Sequence, residues 1–212
     1  MLAAASLTGA FTEMEAGFEA ANPDVDVVLT FGASSTLAAQ VAEGGPGAVL
    51  ATADEDTMAA AVASGNVAGE PVVFTTNRGV IAVPTGSDAV ATPEDLDGEV
   101  TLAVCAPAVP CRVVADELFA RLGIDPPIAT EEENVAAVLT KLEAGEVDAG
   151  VVYATDDLAS DAIEAIDLGD VVVTTAYPIV ALTEDRAARA FVDFVTGPDG
   201  RAVLADAGFA AP

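Results

Sequence analysis

The chain has 212 residues, 52% of them hydrophobic, and its 35 acidic residues against 7 basic ones give a formal net charge of -28 at pH 7. This length allows a substantial buried core, whereas the negative charge repels nucleic acid and anionic membranes, so nucleic-acid binding is excluded as a function. Histidine is absent, which removes the Ser-His-Asp and Cys-His catalytic arrangements, and no stretch of about 18 residues is free of glycine, proline and charge, so no membrane span is predicted.

Predicted helices and strands alternate in the first part of the chain. After Ser6, the residues Phe11, Met14 and Phe18 have helical spacing, and Asn22-Pro23 ends this helix. The next predicted elements are a strand at 25–31, a helix with Leu37 and Val41 on one face that ends at Gly44-Gly45-Pro46, a strand at 48–52, and a helix from the N-cap Asp54 through Val62. The N-terminal stretch MLAAASL is too short for a signal sequence, so we expect targeting information to have preceded it.

The alternation continues to the end of the chain. The predicted elements are a long strand that includes 78–84, a helix that starts at Thr92-Pro93-Glu94, a strand at 100–104, a helix with Val114, Leu118 and Leu122 that ends at Gly123, a helix at 135–144 capped by Asn134, strands at 148–153 and 171–182, and helices near 186–196 and 199–207. Such alternation is typical of an α/β protein with parallel βαβ units and helices on both faces of the sheet. No flexible linker is present, so a division into two lobes would pass through the strands near 78–84 and 171–182.

Serines follow two of the predicted strands. Ser6 stands in AAASLTGAF, and Ser34 and Ser35 stand in FGASSTLAAQ. Helix N-termini attract anions, and in α/β sheets ligands bind beyond the carboxyl ends of the strands, so both junctions are candidate anion sites. The alternative is that the serines are ordinary N-caps. Further neutral donors are expected from the helix starts in APAVPCRVV and EENVAAVL and from the hydroxyl of Tyr153, and such donors could hold an oxyanion without lysine or arginine.

The order of these motifs resembles one known family over essentially the full length of the chain. The segments are AAASLTGAF, FGASSTLAAQVAEGGPG, ATADEDTM, ENVAAVLTKLEAGEVDAGVVYATD, YPIVAL and ARAFVDFVTGPDGRAVLADAGF. Together they resemble the periplasmic molybdate-binding proteins, the solute receptors of molybdate ABC transporters.

The resemblance implies a type II periplasmic-binding-protein fold. Each of its two lobes has a mostly parallel sheet flanked by helices, and the ligand lies in the cleft between them. The implied lobes are residues 1–79 with 178–212 and residues 80–177. The implied ligand is molybdate or tungstate, with no cofactor and no enzymatic activity. The implied partner is the membrane permease of the transporter. The protein is expected to be a monomer at the periplasmic or extracellular face of the membrane, with a lipid anchor as one option.

The family's ligand contacts map onto five positions of this sequence. They are Ser6, Ser34, the backbone N–H of Val135, the hydroxyl of Tyr153, and the backbone N–H of Cys111. At the last of these positions the family usually reads GDP…VPAG, where this chain has CAPAVPCR, and the family's alanine aligns with Cys111.

Cys105 and Cys111 lie in this same loop. In an exported protein the pair is expected to form a disulfide that fixes the ligand loop, because such bridges persist in oxidising compartments. Two thiolates at a metal site would need further ligands, and the chain has no histidine to supply them. A redox-active pair is a second alternative, although the spacing differs from Cys-x-x-Cys.

Two neighbouring residues invite other interpretations. Arg112 could be a charged clamp on the anion or a solvent-facing residue in the first helical turn. Tyr177 could resemble the paired tyrosines that hold ferric iron in some receptors, but its place before Pro178 in a predicted strand favours a structural role.

Three rival functions stay open at the sequence level. The first is the same receptor adapted to sulfate or phosphate, which the altered CAPAVPCR loop allows. The second is an enzyme with Cys105 or Cys111 as nucleophile, against which the lack of histidine counts. The third is the ligand-sensing part of a transcription regulator, which would usually bring a basic DNA-binding module.

Overall fold

Two long strands carry the chain between two units of the structure. The computed structural model describes residues 1–212 and divides into unit 1, Met1–Thr76 with Ala176–Pro212, and unit 2, Asn77–Thr175. The chain enters unit 2 within one strand and returns to unit 1 within another. Unit 2 is therefore one continuous segment, whereas unit 1 is built from two.

Strands and helices alternate along the chain, as the sequence predicts. The strands are β1 (Leu2–Ala4), β2 (Thr30–Gly32), β3 (Val49–Ala51), β4 (Val72–Pro84), β5 (Leu102–Cys105), β6 (Ile128–Glu132), β7 (Ala149–Tyr153), β8 (Ile163–Ala165) and β9 (Thr174–Ala181). The α-helices are α1 (Thr8–Ala21), α2 (Ser34–Ala42), α3 (Glu55–Ala63), α4 (Pro110–Leu122), α5 (Val135–Glu143), α6 (Ala154–Ala159), α7 (Arg186–Thr196) and α8 (Pro198–Asp206), with 3-10 helices at Ala5–Leu7 and Pro93–Asp97. None of the helices has the length and apolar character that crossing a membrane requires.

The sheet of unit 1 is mostly parallel. β1 lies between β2 and β3 and is parallel to both, with Ala4 opposite Gly32 and Ala3 opposite Ala51. β9 is antiparallel to β3, and Ile179 lies opposite Ala51. Parallel strands end at the same edge of a sheet, so the residues that follow β1, β2 and β3 meet there, beside the residues of β9 that precede Ile179. We call this edge 1.

Aromatic side chains fill the core between α1 and α7. Phe11, Met14 and Phe18 are all buried, which confirms the apolar stripe that their spacing predicts. The ring of Phe18 packs edge-on against Phe191 and Phe194, with ring centroids 5.1 Å and 5.6 Å away. Edge-on contacts of this kind add about 0.5–1.5 kcal/mol per pair to the burial of apolar area.

The sheet of unit 2 follows the same plan. β5 is parallel to both β6 and β7, with Cys105 opposite Glu132. β4 is antiparallel to β7, with Gly79 opposite Tyr153, and its end pairs with β8. The residues that follow β5, β6 and β7 therefore meet at one edge, which we call edge 2.

Two glycines let helices approach this second sheet closely on opposite faces. A Cβ on Gly79 would lie 2.3 Å from Val114 of α4, and a Cβ on Gly150 would lie 2.8 Å from Val138 of α5. Gly79 pairs with Tyr153, which is three residues from Gly150, so the two glycines face opposite sides. The prediction of helices on both faces is confirmed here.

Several predicted elements differ from the structure. The predicted strand at 25–31 is ordered as a strand only from Thr30, because the backbone N–H of Val27 donates instead to the carboxylate of Glu19 at 2.7 Å. The predicted strand at 171–182 begins at Thr174, and the helix expected at Thr92 is a short 3-10 helix. Strands β6 and β8 and helix α6 were not predicted.

Candidate functional site

Ser6 lies at edge 1, in the 3-10 helix that joins β1 to α1. The N-cap position of α1 is Leu7, so the interpretation of Ser6 as an N-cap is wrong. Its side-chain oxygen lies 2.9 Å from the hydroxyl oxygen of Tyr177, a hydrogen bond in which either group can be the donor. Ser6 is only partly buried, so its hydroxyl remains within reach of a ligand.

Ser34 is the first residue of α2 and also lies at edge 1. The N-cap position is Ala33, which has no side chain able to cap, so the N-cap interpretation is wrong for this serine as well. The side-chain oxygen of Ser34 accepts a hydrogen bond from the backbone N–H of Ala53 at 3.0 Å. An N–H can only donate, so the Ser34 hydroxyl keeps its own proton for another acceptor.

The two serines occupy equivalent places in neighbouring strand-to-helix connections. Ala4 and Gly32 are opposite each other in the sheet, and each serine follows its strand by two residues. Ala53 follows β3, the third parallel strand, at the same edge. The structure thus brings Ser6, Ser34 and the loop after β3 together.

Tyr153 ends β7 at edge 2 and is buried. Its backbone N–H donates to the Asp156 carboxylate at 2.9 Å, which holds the first turn of α6 against the strand. Loss of hydration on burial raises the pKa of Asp156 to about 6; the hydrogen bond from Tyr153 opposes this rise and the charge of Glu143 adds to it. An acid of this kind exchanges its proton near neutral pH.

Val135 begins α5 at the same edge. The predicted cap is confirmed, since the side chain of Asn134 accepts from the N–H of Ala137 at 3.1 Å. The backbone N–H of Val135, as the first residue of the helix, has no carbonyl partner within the helix. It is a neutral donor at the positive end of the helix dipole.

The predicted disulfide joins Cys105, the last residue of β5, to Cys111 in the first turn of α4. Their Cα atoms are 5.8 Å apart, and the bridge closes the loop that follows β5 at edge 2. Both cysteines are buried and neither is a free thiol. A thiolate pair for metal and a cysteine nucleophile are therefore absent from this state of the chain.

Arg112 does not face solvent as one interpretation had it. Its side chain is 16% exposed and forms ion pairs with Asp116 and Glu131, both at 2.7 Å. The hydrogen bonds to these carboxylates raise the pKa of the guanidinium above its ordinary value. Because two carboxylates already balance its charge, Arg112 is a brace between α4 and β6, and not a clamp for an anion.

Tyr177 has a role at edge 1 that the sequence did not reveal. Its ring is fully buried and packs edge-on against Phe74 and Phe209, with centroids 6.5 Å and 5.6 Å away, as expected for a structural residue. Its hydroxyl, however, reaches Ser6. The available signal in the sequence was a phenol within the predicted apolar strand at 171–182.

Solved structures identify the fold. The periplasmic molybdate-binding protein of Azotobacter vinelandii superposes with a TM-score of 0.84 at 19% identity, covering 100% of this chain and 98% of that one. The sulfate-binding protein SubI of Mycobacterium tuberculosis gives a TM-score of 0.82 at 15% identity, with 98% and 84% covered. The fold is thus that of the type II periplasmic binding proteins, as predicted.

The sequence defines the family. The family model of bacterial extracellular solute-binding proteins matches residues 1–210. The molybdate-binding protein ModA of Mycobacterium tuberculosis is 35% identical over 219 residues, covering 100% of this chain and 84% of the relative. The chain belongs to the bacterial extracellular solute-binding protein family.

Proposed function

We propose that this protein is a receptor for molybdate or tungstate that delivers its ligand to the permease of an ABC transporter. The name of the Mycobacterium tuberculosis relative supports the ligand, and membership of a solute-binding family supports the role. The anion is a ligand and not a cofactor, and binding involves no covalent step. The disulfide fits a working place outside the cytoplasm, where such bonds persist.

One observation carries the proposal from the structure. The Ser34 oxygen accepts the Ala53 N–H, so the proton of this buried hydroxyl is available to another acceptor. A hydroxyl with its proton available in this way suits an anion, whose oxygens accept hydrogen bonds.

We propose the same five ligand residues that the resemblance implies. Ser6 and Ser34 act from edge 1 through their hydroxyls. Cys111 and Val135 act from edge 2 through backbone N–H groups, and Tyr153 acts through its hydroxyl. All five groups are neutral donors. The site therefore needs no positive charge from Arg112, which forms ion pairs with two carboxylates.

A sulfate receptor is the second candidate, because the SubI structure shares the fold and carries that ligand in its name. Sulfate is the smaller tetrahedral anion, so a site built for molybdate leaves donors unpaired around it.

Calorimetric titration with molybdate, tungstate, sulfate and phosphate tests the proposal. Molybdate and tungstate should bind with one ion per chain, and sulfate should bind at least about 100-fold more weakly. Tight binding of sulfate alone would establish the second candidate, and binding of none of the four would refute both.

The site residues are tested by a matched pair of neighbours on α2. Ser34→Ala should weaken molybdate binding by about 1 to 3 kcal/mol, because it removes a buried donor. Ser35→Ala removes a hydroxyl from the next residue, which is not assigned to the site, and should leave the affinity within a factor of two. Equal effects of the two substitutions would contradict the assignment.

A further inference from the structure

Tyr177 combines a rigid ring with a hydroxyl at edge 1. The ring is fully buried between Phe74 and Phe209, so the position of the phenol oxygen is fixed by the core of unit 1. That oxygen lies 2.9 Å from the Ser6 side-chain oxygen. The two residues are 171 positions apart, and the contact is therefore a product of the fold and not of local geometry.

The direction of this hydrogen bond decides what Ser6 can do. A phenol, with a pKa of about 10, is a stronger acid than an aliphatic alcohol and is the better donor of the pair. When Tyr177 donates, the Ser6 oxygen acts as acceptor and its own proton points elsewhere. If Ser6 donated to Tyr177 instead, its proton would be used in that bond, and a lone pair of the Ser6 oxygen would face the ligand.

Ser34 provides an internal precedent at the same edge. Its oxygen accepts a hydrogen bond from the backbone N–H of Ala53, and an N–H can only donate. At edge 1 the side-chain oxygen of each serine is thus hydrogen-bonded to a group from elsewhere in unit 1, the Ala53 N–H for Ser34 and the Tyr177 hydroxyl for Ser6. If Tyr177 donates, the two pairs share one pattern, in which an internal donor leaves the serine proton available to a ligand.

We propose that Tyr177 is a positioning residue that donates to Ser6 and so orients the Ser6 hydroxyl as a donor to the bound oxyanion. This inference rests on the proposed function. Tyr177 itself does not contact the anion in this scheme. It raises affinity by arranging the donor before the ligand arrives, which removes the cost of reorienting it.

A double-mutant cycle tests this role. Tyr177→Phe keeps the ring and removes the hydroxyl, and we expect molybdate affinity to fall about 3- to 10-fold. Ser6→Ala should also weaken binding. In the Ser6→Ala background, Tyr177→Phe should change the affinity less than twofold, because its effect passes through Ser6. An undiminished second loss, or no loss from Tyr177→Phe alone, would overturn the proposal.

Thr75→Val is the matched control. Thr75 is a buried residue of unit 1 whose hydroxyl donates to the backbone oxygen of Ala210 at 2.8 Å, with no link to Ser6. The substitution should lower stability and leave molybdate affinity within a factor of two. A comparable loss of affinity here would mean that Tyr177→Phe reports general loosening of unit 1, and the proposal would fall.

A spectroscopic arm covers the case in which Tyr177→Phe folds poorly. The chain has 2 tyrosines and no tryptophan, so in Tyr153→Phe the only tyrosine is Tyr177. The bond exists before the ligand arrives, so adding Ser6→Ala should shift the ultraviolet absorbance of that tyrosine in the ligand-free protein to shorter wavelength, because the phenol loses the acceptor for its proton. No shift, or a shift to longer wavelength, would overturn the proposal.

Failure of the proposed function is distinct from failure of this inference. A wild-type protein that binds none of the oxyanions refutes both. A wild-type protein that binds molybdate and loses affinity on Ser6→Ala, with no response to Tyr177→Phe, refutes the inference alone.

Discussion

The side-chain amide of Asn77 donates a hydrogen bond to the hydroxyl of Thr155 at 2.9 Å, and both residues are buried. Asn77 is the first residue of unit 2 after the chain leaves unit 1, and Thr155 follows Tyr153 by two positions. The bond therefore ties the entering strand β4 to the start of α6, directly beside a proposed ligand residue.

Thr155→Val should lower the free energy of unfolding by about 1 to 3 kcal/mol, because it leaves the buried Asn77 amide without this acceptor. Urea denaturation followed by circular dichroism measures the change. Thr140→Val is the control: it is the same substitution in an exposed helical position of unit 2, where the hydroxyl bonds only to the backbone oxygen of Ala136. Its effect should stay below about 0.5 kcal/mol.

Removal of the disulfide should destabilise the chain modestly. Cys105 and Cys111 are 6 positions apart, and closing so short a loop constrains the unfolded chain by about 2 kcal/mol. The double substitution to alanine, compared with the oxidised wild type by urea denaturation, gives this value. Equal unfolding free energies would show that the bridge contributes nothing to stability.

Asp156 should give unit 2 a distinctive pH dependence. Its pKa is raised from the ordinary 3.8 to about 6, so between these values the folded chain holds a proton that the unfolded chain has lost. Stability from this group is therefore greatest below about pH 4 and falls as the pH rises to about 6.

Asp156→Asn removes this titration while an amide oxygen can still accept from the Tyr153 N–H. The variant should be more stable than wild type by about 1 to 2 kcal/mol at pH 7.5, and the difference should shrink toward pH 4.5. Urea denaturation across this pH range measures it. A difference that is constant with pH would show that Asp156 titrates normally.

The net charge of -28 predicts an unusual salt dependence for an anion receptor. The association rate of molybdate should rise with added sodium chloride, since screening weakens long-range repulsion over a Debye length of about 10 Å at 0.1 M. Stopped-flow tyrosine fluorescence measures the rate. A rate that falls with salt would indicate a local positive field at the site that outweighs the overall charge.

The sequence predicts best the elements that have both an apolar face at regular spacing and a residue that marks where the element begins or ends. Helix α5 has Asn134 as its cap and an apolar face at helical spacing, and the structure confirms both. Strand β6 was missed because its residues, IATEE, alternate between partly exposed and exposed positions, so no apolar run marks it. Its order depends on pairing with β5, which is a tertiary effect.

The places of Ser6 and Ser34 in the fold could be predicted from the sequence, but their hydrogen bonds could not. The strand-to-helix positions of Ser6 and Ser34 follow from local patterns. Their internal partners, Tyr177 of strand β9 and the Ala53 N–H, are 171 and 19 positions away along the chain, and no local pattern specifies them. The partners of Arg112 were hidden for the same reason, since Glu131 lies on the missed strand β6.

The division of unit 1 into two segments has a consequence for the order of folding. Unit 2 is continuous, so all of its contacts are available once residue 175 has been synthesised or translocated. Unit 1 must wait for its second segment, because Ser6 meets Tyr177 and Thr75 meets Ala210 across 171 and 135 positions. Contacts of such long range form slowly. We therefore expect the backbone amides of unit 2 to become protected from hydrogen exchange first during refolding. Those at edge 1, where Ser6 and Ser34 lie, should become protected last.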